Sequence, residues 1–219
     1  SINRHLFTRL NDIGLAKVEV LKNYLKTIDS NVTIDTYQEC LLPQTDLSKW
    51  ITDDTNLIIN SCDEPYIGHT SVKVGRYAQT RNIPLYVAGG FDAHLMSSGE
   101  LIYPPHTPCI DCTQLTFTKA LGDWKPIYST TAQIKNIVHL KETVSIASDI
   151  SKFYQIGGAG GLIMMNGFSA HLSCLQTLQF LEEDSTYDYK TIRYEYLPNN
   201  GELTEFEMHK QEQCHVCNH

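Results

Sequence analysis

Two CxxC pairs, Cys109-Ile110-Asp111-Cys112 and Cys214-His215-Val216-Cys217, carry the most definite chemistry in the sequence. Four thiolates are the tetrahedral set that Zn2+ takes in closed structural sites. About a hundred residues separate the pairs, far more than in a zinc finger, so a metal held by both would clip the C-terminus back onto the body of the chain. Unrelated thiols or a redox CxxC are the alternatives, but neither pair has a thioredoxin-like βαβ setting. His215, inside the second knuckle, and His219, just beyond it, are expected to face solvent. Cys40, Cys62 and Cys174 are expected to be small core residues.

Asp63 is the second candidate. It follows the apolar run Leu57-Ile58-Ile59-Asn60, which reads as a short buried parallel strand bounded by turn residues. Ligands of open α/β sheets sit at the carboxyl ends of such strands, so Asp63 is placed to meet a ligand or a metal. A helix N-cap just before Pro65 is the other reading of the same residue. Arg4 and Lys17 are cations near the start of the first helix. Gly157-Gly158-Ala159-Gly160-Gly161 fails the spacing of a dinucleotide fingerprint and follows no clear strand, so it reads as a lead-in to a helix. Asp92 and His94, after a Gly-Gly pair, fit a solvated loop.

The elements that must position these residues alternate. A helix is expected over 13–28, with Asp12 as its N-cap and Leu15, Val18, Leu21, Leu25 and Ile28 forming an apolar stripe at helical period. A strand is expected over 32–37 and a short helix over 46–51, capped by Thr45. The central strand, a helix over 66–80 and a strand over 84–88 closed by Gly89-Gly90 follow. This rhythm is that of a mainly parallel sheet with crossover helices, a Rossmann-like α/β class. Further on, 100–103 reads as an antiparallel strand and 125–151 as a long loop with helical pieces. Leu162 to Phe180 reads as a buried helix, and 189–197 with 203–208 as a hairpin.

The 219 residues suffice for one sizeable domain. A formal net charge of -8 argues against nucleic acid as a partner, since phosphate binding needs clustered Lys and Arg. No apolar run approaches the roughly 20 residues of a bilayer span. Seven cysteines, four of them in CxxC pairs, favour a reducing compartment, so a cytoplasmic location is expected.

Taken together, these residues resemble the ThiF/MoeB/HesA family, the ubiquitin-activating-enzyme-like adenylating fold. Ser1-Ile2-Asn3-Arg4-His5 resembles the family's Asn-Leu-Asn-Arg-Gln stretch, and Ile13-Gly14-Leu15-Ala16-Lys17-Val18 resembles its Gly-x-x-Lys-Val helix opening. Asn60-Ser61-Cys62-Asp63 resembles its strand ending in Asp, and Ile83 to Gly89 its next strand. The two CxxC pairs sit where its zinc knuckles sit. Tyr103-Pro104-Pro105-His106-Thr107-Pro108-Cys109 is most similar to the microcin-type peptide-adenylating branch (MccB-like).

The resemblance implies ATP-dependent adenylation of the C-terminal carboxylate of a peptide or small protein, with ATP, Mg2+ and a structural Zn2+ as cofactors. It implies that Arg4 and Lys17 contact the ATP phosphates, that Asn3 lies at the nucleotide, and that Asp63 holds Mg2+, with Arg4 and Asp63 catalytic. Cys109, Cys112, Cys214 and Cys217 would hold the zinc, and 125–151 would be the crossover loop that guides the peptide. Residues 1–219 would form a single adenylation domain lacking its N-terminal Gly-rich part, which an upstream segment or another chain would supply. This chain alone would then bind ATP poorly. A homodimer is expected. No Cys occurs between Cys112 and Cys174, where a thioester Cys would stand, which favours adenylation without a thioester step. Ser1 and His5 depart from the family's Asn and Gln. The alternative is a non-catalytic, zinc-stabilised peptide-binding subunit of a peptide-modification complex. A nicotinamide-dependent oxidoreductase lacks its fingerprint here.

Overall fold

The computed structural model describes residues 5–63, 67–92, 95–121, 163–182, 190–198 and 200–217. The chain divides into two compact units, Ser1–Thr45 and Asp46–His219. The segments expected as a crossover loop (125–151) and as a Gly-rich lead-in (157–161) lie outside the described residues, as do Asn3, Arg4, His94 and His219.

In the first unit, α1 spans Lys17–Ile28 and starts four residues later than expected. Two local features explain the delay. Asp12 closes a 3₁₀ turn, Leu10–Asp12, by accepting the Arg9 backbone N–H at 2.6 Å, so its carboxylate caps that turn and not α1. Gly14 then takes φ +92°, a left-handed conformation that only glycine adopts readily. Val20 is the buried residue of α1, whereas Leu15, Leu21, Leu25 and Ile28 of the expected stripe are exposed. Residues 32–37 form no strand. An alternating sequence becomes a strand only with a ladder partner, and none is present among the described residues.

The second unit is built on a five-stranded sheet in the order β1-β2-β3-β4-β5. Its strands are β1 (Ile58–Asn60), β2 (Leu85–Asp92), β3 (Leu95–Ile102), β4 (Thr191–Leu197) and β5 (Glu202–Met208). The β1–β2 pairing is parallel, with Ile59 opposite Tyr86, and the β2–β3, β3–β4 and β4–β5 pairings are antiparallel. The mainly parallel sheet expected from the alternation is therefore a mixed sheet among the described residues. β2 runs through Gly89-Gly90 instead of closing there: a Cβ on Gly89 would stand 2.2 Å from the Ser97 carbonyl oxygen of the neighbouring strand. Leu85, Tyr86, Val87, Met96, Leu101 and Ile102 form the buried centre of this sheet.

Among the described residues, three helices complete the unit: α2 (Ile67–Thr80), α3 (Ile110–Leu121) and α4 (Ile163–Leu181). The short helix expected over 46–51 is a 3₁₀ turn, Leu47–Lys49, and its cap is Asp46, which accepts the Ser48 N–H at 3.0 Å, rather than Thr45. α4 reverses the expected burial. Its sheet-facing side carries hydroxyls and an amide: Ser169 donates to the Ser97 carbonyl, Ser173 to the Ser98 carbonyl, and Gln176 to the Ile192 carbonyl at 3.1 Å. Met164, Leu175 and Leu178 are exposed. Among the described residues, no helix is long and apolar enough to cross a membrane.

Candidate functional site

The four cysteines of the two CxxC pairs converge. Cys109 immediately precedes α3 and Cys112 lies in its first turn, so the helical rise puts both thiols on one side. The chain returns after β5 through a turn in which the Cys214 N–H bonds the Gln211 carbonyl at 2.9 Å. The Sγ atoms of Cys109, Cys112, Cys214 and Cys217 all lie within 4.8 Å of one another. Cys109–Cys112, Cys109–Cys214 and Cys112–Cys217 are separated by 3.7, 3.5 and 3.3 Å. Disulfides need about 2.05 Å, and all four cysteines are unbridged. With Zn–S bonds of about 2.3 Å, a tetrahedron has edges of roughly 3.8 Å, so the cluster fits a metal ion such as zinc.

The surroundings fit the same use. Cys109, Cys112 and Cys214 are buried, and Leu115 and Val216 pack against them. The Gln211 backbone N–H points at Cys112 Sγ at 3.4 Å, and the Gln211 side chain accepts from Lys119 Nζ and donates to Thr116 Oγ1, both on α3. Such contacts orient thiolate ligands and offset their charge. Burial pushes the Cys109 thiol well above its ordinary range. Burial acts upward on Cys214, but the backbone N–H groups of Cys217 and Val216, together with hydrogen bonds from the Cys112 and Cys109 thiols, bring it down to about 7. α2 braces the cluster from the side. Gly75 approaches Ile110 so closely that a Cβ there would lie 2.7 Å from the Ile110 Cβ. His215 is exposed, as expected, and so are Cys40, Cys62 and Cys174. Those last three are not core residues; spacing alone carries no burial signal for an isolated cysteine.

Asp63 lies just beyond the carboxyl end of β1 and is exposed. The turn that leads to it is fastened from beneath. Asn60, 4% exposed, accepts the Cys62 N–H on Oδ1 and donates Nδ2 to Ser71 and Thr70 of α2. Thr70 in turn donates to the Cys62 carbonyl. Sequence reading missed this network; a polar Asn closing an apolar strand, with Thr70-Ser71 in the next helix, was the available signal. Lys17, the first residue of α1, belongs to the first unit. It is exposed and lines a concavity of about 270 Å3 together with His5, Thr8, Asp12, Ile13, Leu15 and Val20. A second buried polar group went unforeseen. Glu100 of β3 is fully enclosed, 3.6 Å from Arg193 of β4, and burial raises its carboxyl pKa against the pull of that guanidinium.

The ThiF family model matches residues 1–216. No curated protein matches the chain. Among solved structures, it is similar to E. coli MccB, with a TM-score of 0.72 at 18% identity over 100% of this chain and 54% of that one. E. coli MccB with ATP gives a TM-score of 0.68 at 18% identity over 99% of this chain and 55% of that one. E. coli MccB with MccA-N7isoASN gives 0.71 at 20% identity over 99% and 56%. The chain thus spans about half the length of these structures.

Proposed function

The chain belongs to the ThiF family, and from that membership we propose that it is part of an enzyme that adenylates the C-terminal carboxylate of a peptide or small protein with ATP. The observation that carries this reading is the family match over nearly the whole chain. The fold likeness to MccB, solved with ATP and with MccA, supports it. In the reaction a carboxylate oxygen attacks the α-phosphorus of ATP, an O–P bond forms, and the bond to pyrophosphate breaks. Charge accumulates on the phosphate oxygens, so fixed cations there lower the barrier. Arg4 and Lys17 are assigned that role, and Asn3 the nucleotide edge. Asp63 is assigned to hold Mg2+, which would neutralise phosphate charge when bound. An exposed acidic side chain at a strand's carboxyl end has the hard oxygen chemistry that Mg2+ requires.

The four-cysteine cluster is assigned a structural Zn2+, since four protein ligands leave no open position for substrate. The glycine-rich loop that would cradle the phosphates is assigned to another segment of the assembly. Two features support an incomplete sheet among the described residues: β1 is an edge strand although it pairs in parallel, and its Ile59 is 60% exposed. Parallel strands are ordinarily buried on both faces. ATP–pyrophosphate exchange by the complete assembly, with and without candidate peptides, tests the proposal. Peptide-dependent exchange is expected. Tight peptide binding with no exchange would replace it with a non-catalytic peptide-binding subunit.

A further inference from the structure

We propose that Asn60 and Thr70 are positioning residues that set the direction in which Asp63 presents its carboxylate; this rests on the reading of Asp63 as the Mg2+ ligand. The argument begins with the backbone of one residue. Cys62, directly before Asp63, has its N–H held by Asn60 Oδ1 at 3.2 Å and its carbonyl held by the Thr70 hydroxyl. Both peptide groups that flank its Cα are therefore held by side chains. The holders are themselves fixed. Asn60 Nδ2 donates to Ser71 Oγ at 3.0 Å and to Thr70 Oγ1 at 3.3 Å, and the Thr70 hydroxyl also reaches the Ile67 carbonyl at 3.0 Å. Asn60, Thr70 and Ser71 are all buried.

An exposed turn of this length needs no such anchoring for stability, because water can satisfy its peptide groups. A metal ligand does need it. Mg2+ demands near-octahedral geometry at about 2.1 Å, so a carboxylate that wanders forfeits affinity. Buried partners that orient a ligand are typically worth about 10- to 100-fold in metal affinity. The network joins the end of β1 to the first turns of α2, two rigid elements, which suits a site that must be preorganised.

Mn2+ serves as the probe, titrated by electron paramagnetic resonance into the complete assembly with a non-hydrolysable ATP analogue, alongside thermal unfolding without metal. Thr70→Val should weaken Mn2+ binding about tenfold. Thr70→Ser, which keeps the hydroxyl, should restore it. Ser71→Ala, a gentler change that removes one partner of Asn60, should give a smaller loss in the same direction. Thr177→Val, the loss of a buried hydroxyl in α4, should leave Mn2+ binding unchanged. Wild-type Mn2+ affinity in Thr70→Val and Ser71→Ala, with binding lost in Asp63→Asn, would overturn the positioning role and leave Asp63 as the ligand. Wild-type affinity in Asp63→Asn would remove the reading on which the proposal rests, and the proposal with it.

Discussion

Arg76 on α2 grips Asp111, the residue inside the first CxxC pair, through both carboxylate oxygens, with Nε donating to Oδ2 at 3.0 Å and NH2 to Oδ1. One helix thereby holds the knuckle on the next. Its guanidinium pKa is raised, chiefly by the hydrogen bond to Asp111, with burial opposing and the charge of Asp111 adding to it. Arg76→Ala should lower stability by about 1 kcal/mol or less, because the guanidinium is more than half exposed and such pairs are screened. The sharper effect should be on metal retention. A chelator such as EDTA should strip zinc from the variant several-fold faster than from the wild type.

The four-cysteine site should hold one Zn2+ per chain, and Cys214→Ser should lower both zinc content and the thermal midpoint, since metal binding contributes directly to folding. Binding should also release protons. Burial keeps the Cys109 thiol protonated at neutral pH in the metal-free cluster, so zinc must displace that proton. Zinc affinity should therefore fall as pH is lowered, as protons compete for the sulfurs. Elemental analysis across a pH series checks both points, and zinc-free protein purified without chelator would contradict them.

Gly75→Ala should destabilise by about 1–3 kcal/mol, the usual cost of overpacking. The new methyl would stand 2.7 Å from the Ile110 Cβ and force α3 away from α2. Thermal unfolding measures the loss, and zinc content should decline with it because Ile110 sits between Cys109 and Cys112.

Glu100 gives a pH signature. Burial raises its carboxyl pKa above the ordinary 4.5, so the folded state holds this proton more tightly than the unfolded chain does. Its contribution to stability is full below the unfolded pKa and is lost as pH rises through the raised folded value. Glu100→Gln removes that loss. The thermal midpoint of the variant relative to wild type should therefore climb as pH rises above the ordinary carboxyl range. A difference independent of pH would show that Arg193 fully compensates the buried charge.

The metal cluster was legible in the sequence because ligand type and spacing are themselves the chemistry: Cys109, Cys112, Cys214 and Cys217 needed no knowledge of the path between them. β1, α2 and the β4–β5 hairpin were legible from apolar runs and turn residues. What failed depended on tertiary partners. Asp12 looked like a helix cap until Arg9 claimed its carboxylate. Gly89-Gly90 looked like a turn, yet they sit mid-strand against Ser97. α4 has the composition of a buried helix, and its contacts with β3 are made by Ser169 and Ser173, whose hydroxyls satisfy strand carbonyls that periodicity cannot foresee. Asn60 and Thr70 went unread for the same reason.

Asp63→Asn tests the account most directly, measured by ATP–pyrophosphate exchange in the complete assembly with an accepted peptide. Asn keeps the shape and one oxygen but loses the charge that would hold Mg2+ among phosphates, and it caps a helix about as well as Asp. Near-complete loss of exchange with an unchanged thermal midpoint is the predicted result. Exchange at the wild-type rate would reduce Asp63 to a cap and place the adenylation site elsewhere.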